Sequence, residues 1–462
     1  PPCRGSRSLP FFSWPFAPCG ATALKANKGP PRVLIGSIGF VALFVLLFLG
    51  APIAFGLLLV GFIGFAVLQG LAPALSMVGQ IAFTTVLNEE LSVIPLFILM
   101  GGFVAVSRLS DDLYAAANAF LGHLRGGLAM ATVVACAGFA SVCGSSFATA
   151  ATMCKVALPP MRKYGYADTL AAGSIASGAT LGIMIPPSVP MLIYGIITRT
   201  DVGKLFIAGI LPGLLGTALY MSSVYVVTQR NPGLGPPGER SSAAERWRAL
   251  SHIWAVVALF IFIIGGIYIG IFTPTEAAGV GAFAGLVFAL WRRSLSWRGL
   301  LEVLLDSART TATIFFLLIG AFVYSNFIDI AGVPKELARW ISDTTLAPVV
   351  VIVIIIAIYI VLGCILDSMS MMFLTVPLFF PIVAGLGYDL VWFGIIVVTV
   401  IEISLITPPV GLNVFVLHHV QPDISTPTIF RGVMPFVAAD IVRVSLLVLF
   451  PSIALVLPRL MG

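Results

Sequence analysis

Charge is what this sequence has least of. Asp, Glu, Lys and Arg make up 10% of its 462 residues, against 59% hydrophobic, whereas soluble domains carry about a quarter charged residues. A chain so poor in charge is solvated mainly by lipid. The formal net charge of +6 would suggest nucleic acid in a soluble protein, but here the basic residues sit in short loops between apolar runs. That is a topology signal and speaks against nucleic acid as a partner. Histidine is scarce as well: there are four, and the one close pair, His418 and His419, is adjacent and so lies on different helix faces. The six cysteines include no C-x-x-C. Cys136, Cys143, Cys154 and Cys364 lie in apolar stretches, and Cys3 and Cys19 lie in a Pro-rich leader, which argues against a disulfide framework, a zinc site or a redox centre. No G-x-x-x-x-G-K-[ST] occurs, so ATP-driven work is not expected. No H-E-x-x-H and no Ser–His pairing in a shared segment points to an enzyme, and no resident cofactor is implied.

What is present is a succession of apolar runs. Residues 1–32 read as a disordered leader or start-site artefact, without the uninterrupted apolar core of a signal peptide. Scaffold helices fill 33–90, as spans at Val33–Leu49, Pro52–Leu68 and Leu71–Leu87. The first repeat, 91–229, holds a span at Leu91–Val106, an amphipathic interfacial segment at Asp111–His123, a hairpin at 127–160, a broken helix at 168–198 and a plain span at Lys204–Thr228. Residues 230–251 (RNPGLGPPGERSSAAERWRALS) are the one long polar stretch and read as a flexible cytoplasmic linker. Scaffold helices return over 252–308. The second repeat, 309–462, has a span at Arg309–Ile330, an interfacial segment at Pro334–Thr344, a hairpin at 347–384, a broken helix at 388–419 and a span at Arg431–Leu457. At roughly 20 residues per crossing this gives about eleven transmembrane helices and two re-entrant hairpins.

The two repeats are held together by their backbone-breaking residues. Pro159, Gly165 and Pro186 return as Pro381, Gly387 and Pro408, each displaced by 222 (381 − 159, 387 − 165, 408 − 186), and Gly209 and Pro212 return as Gly432 and Pro435, displaced by 223. In each copy a Gly/Ser-rich point interrupts one apolar stretch and a Pro-Pro pair interrupts another. Matched interruptions in two halves are the best sequence pointer to the binding site of a secondary transporter. Arg and Lys crowd the loops around residues 108–163, 230–248 and 292–309, while the opposite loops hold only Arg199, Lys204, Lys335 and Arg339. The rich side is expected to be cytoplasmic. Counting crossings from there puts the N-terminus in the cytoplasm and the C-terminus outside. The first hairpin then opens inward and the second outward, so the repeats are inverted.

Irregular backbone persists within a membrane only where protein, water or a ligand satisfies its polar groups. Gly144 and Gly363 can turn without a Cβ clash, and Pro186-Pro187 and Pro408-Pro409 delete amide donors and orphan the carbonyls one turn earlier. Those carbonyls lie beside Ser145, Ser146, Thr149, Thr180 and Ser188 in one copy, and beside Ser404, Thr407 and Asn413 in the other. They are hard oxygen ligands suited to Na⁺, while facing half-helix N-termini suit an anionic substrate. Ser146, Ser188, Asp367 and Asn413 are the substrate-binding candidates. Asp367, at the second tip, reads equally as a ligand or as a cap. Glu402 is a second intramembrane carboxylate and by default a functional candidate. Asp440 and Arg443, three apart on one helix face, read as a structural ion pair, and Glu276 after Thr273-Pro274-Thr275 reads as a helix cap.

The runs GHLRGGLA (122–129), the GSS-x-AT hairpin with LPPMRKYGY, IPPSVPMLIYG and LFIAGILPGLL resemble the large membrane subunit of tripartite ATP-independent periplasmic (TRAP) transporters. GYDLVWFGIIVV, LITPPVGLNVFV and the G-x-x-x-D before them resemble its second half, so the likeness runs from Val33 to Leu457. It implies an elevator-type, Na⁺-driven importer of small organic acids in a bacterial inner membrane. It also implies a small four-helix membrane subunit and a soluble periplasmic substrate-binding protein as partners. Carried over position by position, one sodium site uses Ser141, Cys143, Gly144, Ser145, Gly182, Ile185 and Pro187, and the other uses Gly363, Ser404, Thr407 and Val410, several through backbone carbonyls. Two departures stand out. Cys143 replaces the hydroxyl residue of the usual S-G-S tip, and Ser404 stands where many members have Gly. The alternative is a stand-alone ion/organic-anion antiporter or symporter of the same inverted-repeat design.

Overall fold

The computed structural model describes residues 32–343, 347–363 and 366–461. The expected leader, with Cys3 and Cys19, and the positions Thr344 and Cys364 lie outside the described residues. Among the described residues all regular structure is helical. The chain opens with Arg32–Phe48 (α1), Ile53–Gln69 (α2) and Leu71–Leu87 (α3), and a 3-10 turn at Glu89–Ser92 leads into Val93–Val106 (α4). Leu109–Leu121 (α5) precedes the first hairpin, Gly127–Cys143 (α6) and Ser146–Lys163 (α7). The first broken helix is Asp168–Gly178 (α8), a 3-10 turn at Ala179–Ile183, and Val189–Thr198 (α9), followed by Val202–Arg230 (α10). Ala243–Tyr268 (α11), Pro274–Trp291 (α12), Trp297–Ala331 (α13) and Val333–Asp343 (α14) lead to the second hairpin, Pro348–Gly363 (α15) and Ser368–Gly385 (α16). The second broken helix is Leu390–Ser404 (α17) and Leu412–Val420 (α18), and the chain ends with Thr426–Leu449 (α19) and Ser452–Leu460 (α20).

These helices are built to face lipid. On α1 the exposed residues Leu34, Ile38, Val41, Val45 and Phe48 recur every three or four positions, while Gly36, Gly39 and Leu43 are buried on the other side. An apolar stripe turned outward is a cost in water and a match in hydrocarbon. Among the described residues six helices are long and apolar enough to cross a membrane, or seven if α11, bent by 50° between Ala243–Trp254 and Val257–Tyr268, counts as one span. Further apolar helices of 10–17 residues, among them α1, α2, α3, α6, α15 and α17, join these.

Two expected boundaries move. The linker is shorter than 230–251, because Ser242 and Glu245 form a reciprocal capping box that starts α11 at Ala243. The remainder is bolted down. Gly126 N–H donates to the Gly235 carbonyl at 2.9 Å, Gly238 N–H to the Gly122 carbonyl at 2.9 Å, and Ala167 N–H to the Leu234 carbonyl at 3.0 Å, so a flexible tether becomes a strap across the base of the first hairpin. The division at 308/309 falls inside α13, one helix of 35 residues. Its start is capped by Ser296, and good helix formers then carry it on without interruption.

The repeats pack as exchanged partners. α7 lies on α18 and, with the copies interchanged, α16 lies on α9, which is the reciprocity that a two-fold axis produces. Their hairpins open to opposite ends. The base of α7 shares an end with the starts of α8 and α19, since Arg162 pairs with Asp168 at 2.8 Å and Asp423 at 2.6 Å. Hydrogen bonding to Arg162 holds the Asp423 carboxyl below its ordinary range. The start of α17 shares the other end with α9, beyond the break: the Tyr194 hydroxyl donates to the Leu390 carbonyl at 2.7 Å. The repeats are therefore inverted. At the arginine-rich end, exposed Trp247, Trp254, Trp291 and Trp297 accompany Arg246 and Arg292, as aromatic residues do at a membrane interface.

Candidate functional site

Each hairpin tip meets the break of its own repeat. In the first, α6 stops at Cys143, Gly144 takes the left-handed conformation at φ +68, and Ser145 caps α7 by accepting the Ala148 N–H at 3.3 Å. Gly182 lies flush against α6, where any Cβ would overlap Ala140. Val142 and Pro187 line one small gap, and Gly144 lies beside Val189, the first residue of α9. Ser141, Cys143, Gly144 and Ser145 are thus brought against the segment carrying Gly182, Ile185 and Pro187. In the second, Gly363 ends α15 with Ser404 directly against it, so that a Cβ on Gly363 would overlap the Ser404 side chain. Thr407 and Val410 follow on the same break, both half-buried.

The donors fit a small hard cation. Pro186 and Pro408 offer no N–H to the carbonyls of Gly182 and Ser404 four residues earlier. Pro187 and Pro409 do the same to Ile183 and Leu405, but there the protein supplies replacements. The Ser188 hydroxyl donates to the Ile183 carbonyl, and the Asn413 N–H donates to the Leu405 carbonyl at 3.0 Å. Among the described residues Gly182 gains no such replacement and Ser404 only a long one; they are matched positions of the two copies (404 − 182 = 222), each beside a hairpin tip. The Thr407 N–H reaches the Ser404 carbonyl only at 3.4 Å. The hydroxyls of Ser141, Ser404 and Thr407 donate inside their own helices, to Gly138 at 2.8 Å, Ile401 at 2.7 Å and Ile403 at 2.6 Å. Their protons are occupied and their lone pairs remain, which is the ligand set by which unwound helices hold Na⁺. The Cys143 thiol is too soft to suit such an ion, which leaves only its carbonyl, packed against Gly101 of α4.

The four substrate candidates are spread over the two tips and two breaks. Ser146 is buried beside the first tip, and Ser188 caps α9 with Met191 N–H at 3.4 Å. Asp367 is engaged as the cap of α16, accepting Met369 N–H at 3.1 Å, Ser370 N–H at 3.5 Å and the Ser370 hydroxyl. Asn413 reaches from the second break into the first repeat, donating to the Ala176 carbonyl at 3.3 Å. A separate cavity of about 1370 Å³, with Arg199 in its lining, opens at the end opposite the arginine-rich one, between α4, α12 and α13 on one side and α9 and α16 on the other. None of the candidate ion or substrate residues lines it.

The expected ion pair grows into a larger cluster. Arg443 contacts Asp440 at 2.8 Å and also Glu402 at 2.5 Å, and the Tyr220 hydroxyl donates to Asp440 at 2.5 Å. Glu402, Asp440, Arg443 and Tyr220 are all fully buried. Reading the sequence by helix faces found the i,i+3 pair and singled out Glu402 as a lone carboxylate, but it missed Tyr220 and the pairing of Glu402 with Arg443. The rule that intramembrane charges pair with one another could have matched Glu402 with Arg443.

The family model described as "Tripartite ATP-independent periplasmic transporter, DctM component" matches residues 40–453. The C4-dicarboxylate TRAP transporter large permease protein DctM of Pseudomonas aeruginosa is 36% identical over 383 residues, covering 82% of this chain and 88% of that one. The sialic acid TRAP transporter large permease protein SiaM of Vibrio cholerae is 30% identical over 429 residues, covering 92% and 99%. Among solved structures, the Alcanivorax borkumensis YdaH transporter aligns with a TM-score of 0.57 at 14% identity, over 91% of this chain and 98% of that one, a likeness of fold.

Proposed function

This chain belongs to the DctM-component family, the large permeases of TRAP transporters, and on that premise we propose that it imports small organic acids such as carboxylates, driven by Na⁺. It is a multi-pass membrane protein whose relatives are permeases and not enzymes. The observation that carries the proposal is the matched pair of carbonyls at Gly182 and Ser404, each deprived of its helical donor by a proline and each set against a hairpin tip. Na⁺ bound at these sites supplies charge compensation for an anionic substrate. The residues do the rest: Ser141 and Ser145 with Gly182 hold one ion, Ser404 and Thr407 hold the other, and each hairpin tip closes over its break. Ser146, Ser188, Asp367 and Asn413 are assigned to the substrate.

The arginine-rich end is assigned to the cytoplasm of the inner membrane, with the N-terminus inside and the C-terminus in the periplasm. The cavity between α4, α12 and α13 and the body carrying α9 and α16 supports an elevator motion, because it leaves room on that side for the body to move, while the first tip rests on Gly101 of α4. A small four-helix membrane subunit and a periplasmic binding protein are assigned as partners. The test is reconstitution of the permease with both partners in proteoliposomes. Uptake of a C4-dicarboxylate or sialic acid should rise with an inward Na⁺ gradient and need no ATP. Uptake that ignores Na⁺ would remove the coupling, and full uptake by the permease alone would favour the stand-alone transporter.

A further inference from the structure

The buried cluster lies where the two repeats meet. Tyr220 and Arg443 are equivalent positions of the two copies (443 − 220 = 223), with the same displacement as Gly209/Gly432 and Pro212/Pro435. Equivalent residues touch each other only at the axis relating them. Here the Arg443 guanidinium carbon lies 6.0 Å from the centre of the Tyr220 ring, and Asp440 joins the two. Glu402 has Thr180 as its equivalent (402 − 180 = 222). Thr180 spends its hydroxyl on the Ser177 carbonyl of its own helix at 2.8 Å, whereas Glu402 reaches out to Arg443. One copy thus carries the ionic half of the joint and the other a neutral half.

The cluster touches both breaks. Glu402 is on α17, two residues before the Ser404 carbonyl. α17 also packs against the 3-10 turn Ala179–Ile183 that leads into the first break. α10 is notched by glycine at the same place: Gly216 faces both Leu181, in the 3-10 turn before the first break, and the Arg443 guanidinium, and Gly209 faces the Met184 carbonyl. Among the described residues the charged and titratable groups bearing on Glu402 belong to the cluster, namely Arg443 and Asp440 from α19, with Tyr220 of α10 beyond them.

We propose that Glu402, clamped by Arg443, is a positioning residue that couples the two breaks, so that a cation held at one raises affinity at the other. This rests on the sodium reading above. A carboxylate that is clamped on one broken helix, where that helix packs against the turn before the other break, passes displacement of either to its partner. Coupling of this kind is reciprocal and is typically worth roughly 5- to 150-fold in affinity.

The test is the Na⁺ dependence of uptake in proteoliposomes holding the permease with its small subunit and binding protein. Wild type should be cooperative, with a Hill coefficient above one. Glu402→Leu leaves Arg443 and Asp440 as a balanced pair, and its Hill coefficient should fall to about one while half-saturating Na⁺ rises. Glu402→Gln keeps the size and polarity of the side chain but loses the ionic clamp, so it should fall between. Trp392→Phe is the control for packing alone. It removes the Trp392 Nε1–H bond to the Leu447 carbonyl at 2.8 Å and should lower the melting temperature without changing the Hill coefficient. Unchanged cooperativity in a folded Glu402→Leu protein overturns the coupling role, and if that variant does not fold, unchanged cooperativity in Glu402→Gln does so. A wild-type Hill coefficient of one also overturns it and leaves Na⁺-driven import standing. Absence of any Na⁺ dependence overturns the import reading itself.

Discussion

Thr407→Val separates a cation ligand from a helix-bridging hydroxyl. The Thr407 hydroxyl donates to the Ile403 carbonyl at 2.6 Å, and Thr375 on α16 makes the same i−4 bond to Met371 at 2.6 Å. Removing either hydroxyl forfeits one intrahelical hydrogen bond, at about 0.5–1.5 kcal/mol. In the Thr407 variant the Ile403 carbonyl keeps the Ile406 N–H at 3.2 Å, so no acceptor is stranded. The stability costs of Thr407→Val and Thr375→Val should therefore match, and only a ligand role makes the two variants differ. Losing one oxygen ligand from a cation should cost about 1–3 kcal/mol, by analogy with a hydrogen bond to a charged group. Each 1.4 kcal/mol is about tenfold in affinity. Half-saturating Na⁺ for uptake should rise roughly 5- to 150-fold in Thr407→Val and stay put in Thr375→Val. Na⁺ titrations of uptake on both variants, alongside thermal melting in detergent, make the measurement. Equal melting losses with an unmoved Na⁺ curve for Thr407→Val would refute the ligand assignment and leave Thr407 as a bridge across the proline break.

Two further outcomes test the frame around the site. Gly432→Ala should be strongly destabilising, because a Cβ there overlaps the Thr169 carbonyl oxygen and crowds Gly173, where α19 crosses α8. Overpacking of this kind costs about 1–3 kcal/mol, and a melting temperature equal to wild type would show that the crossing is looser than described. Glu239→Cys places a thiol on the exposed strap, clear of the Ser242 cap. It should react with an impermeant maleimide only when the reagent has access to the cytoplasmic face, and labelling in intact cells would reverse the assigned orientation.

Composition alone determined that lipid is the main solvent of this chain, because apolar runs with so few charges have no other medium. Recurrence of Gly and Pro at a spacing of 222–223 residues determined the duplication and located the tips and breaks, since backbone interruptions are local events that a sequence writes plainly. Some boundaries are equally local: the Ser242–Glu245 capping box is legible in the sequence, and so is the uninterrupted helix-forming run of α13. What only the tertiary structure decided is long-range contact. That Gly182 presses on Ala140 and Gly363 on Ser404, that Asp367 spends its oxygens as a cap, and that residues 231–242 strap the hairpin base all depend on backbones approaching across the fold. The same holds for Glu402, Tyr220 and Arg443. Their meeting follows from inverted copies exchanging partners about an axis, and periodicity along one helix cannot say which face of another helix will be opposite.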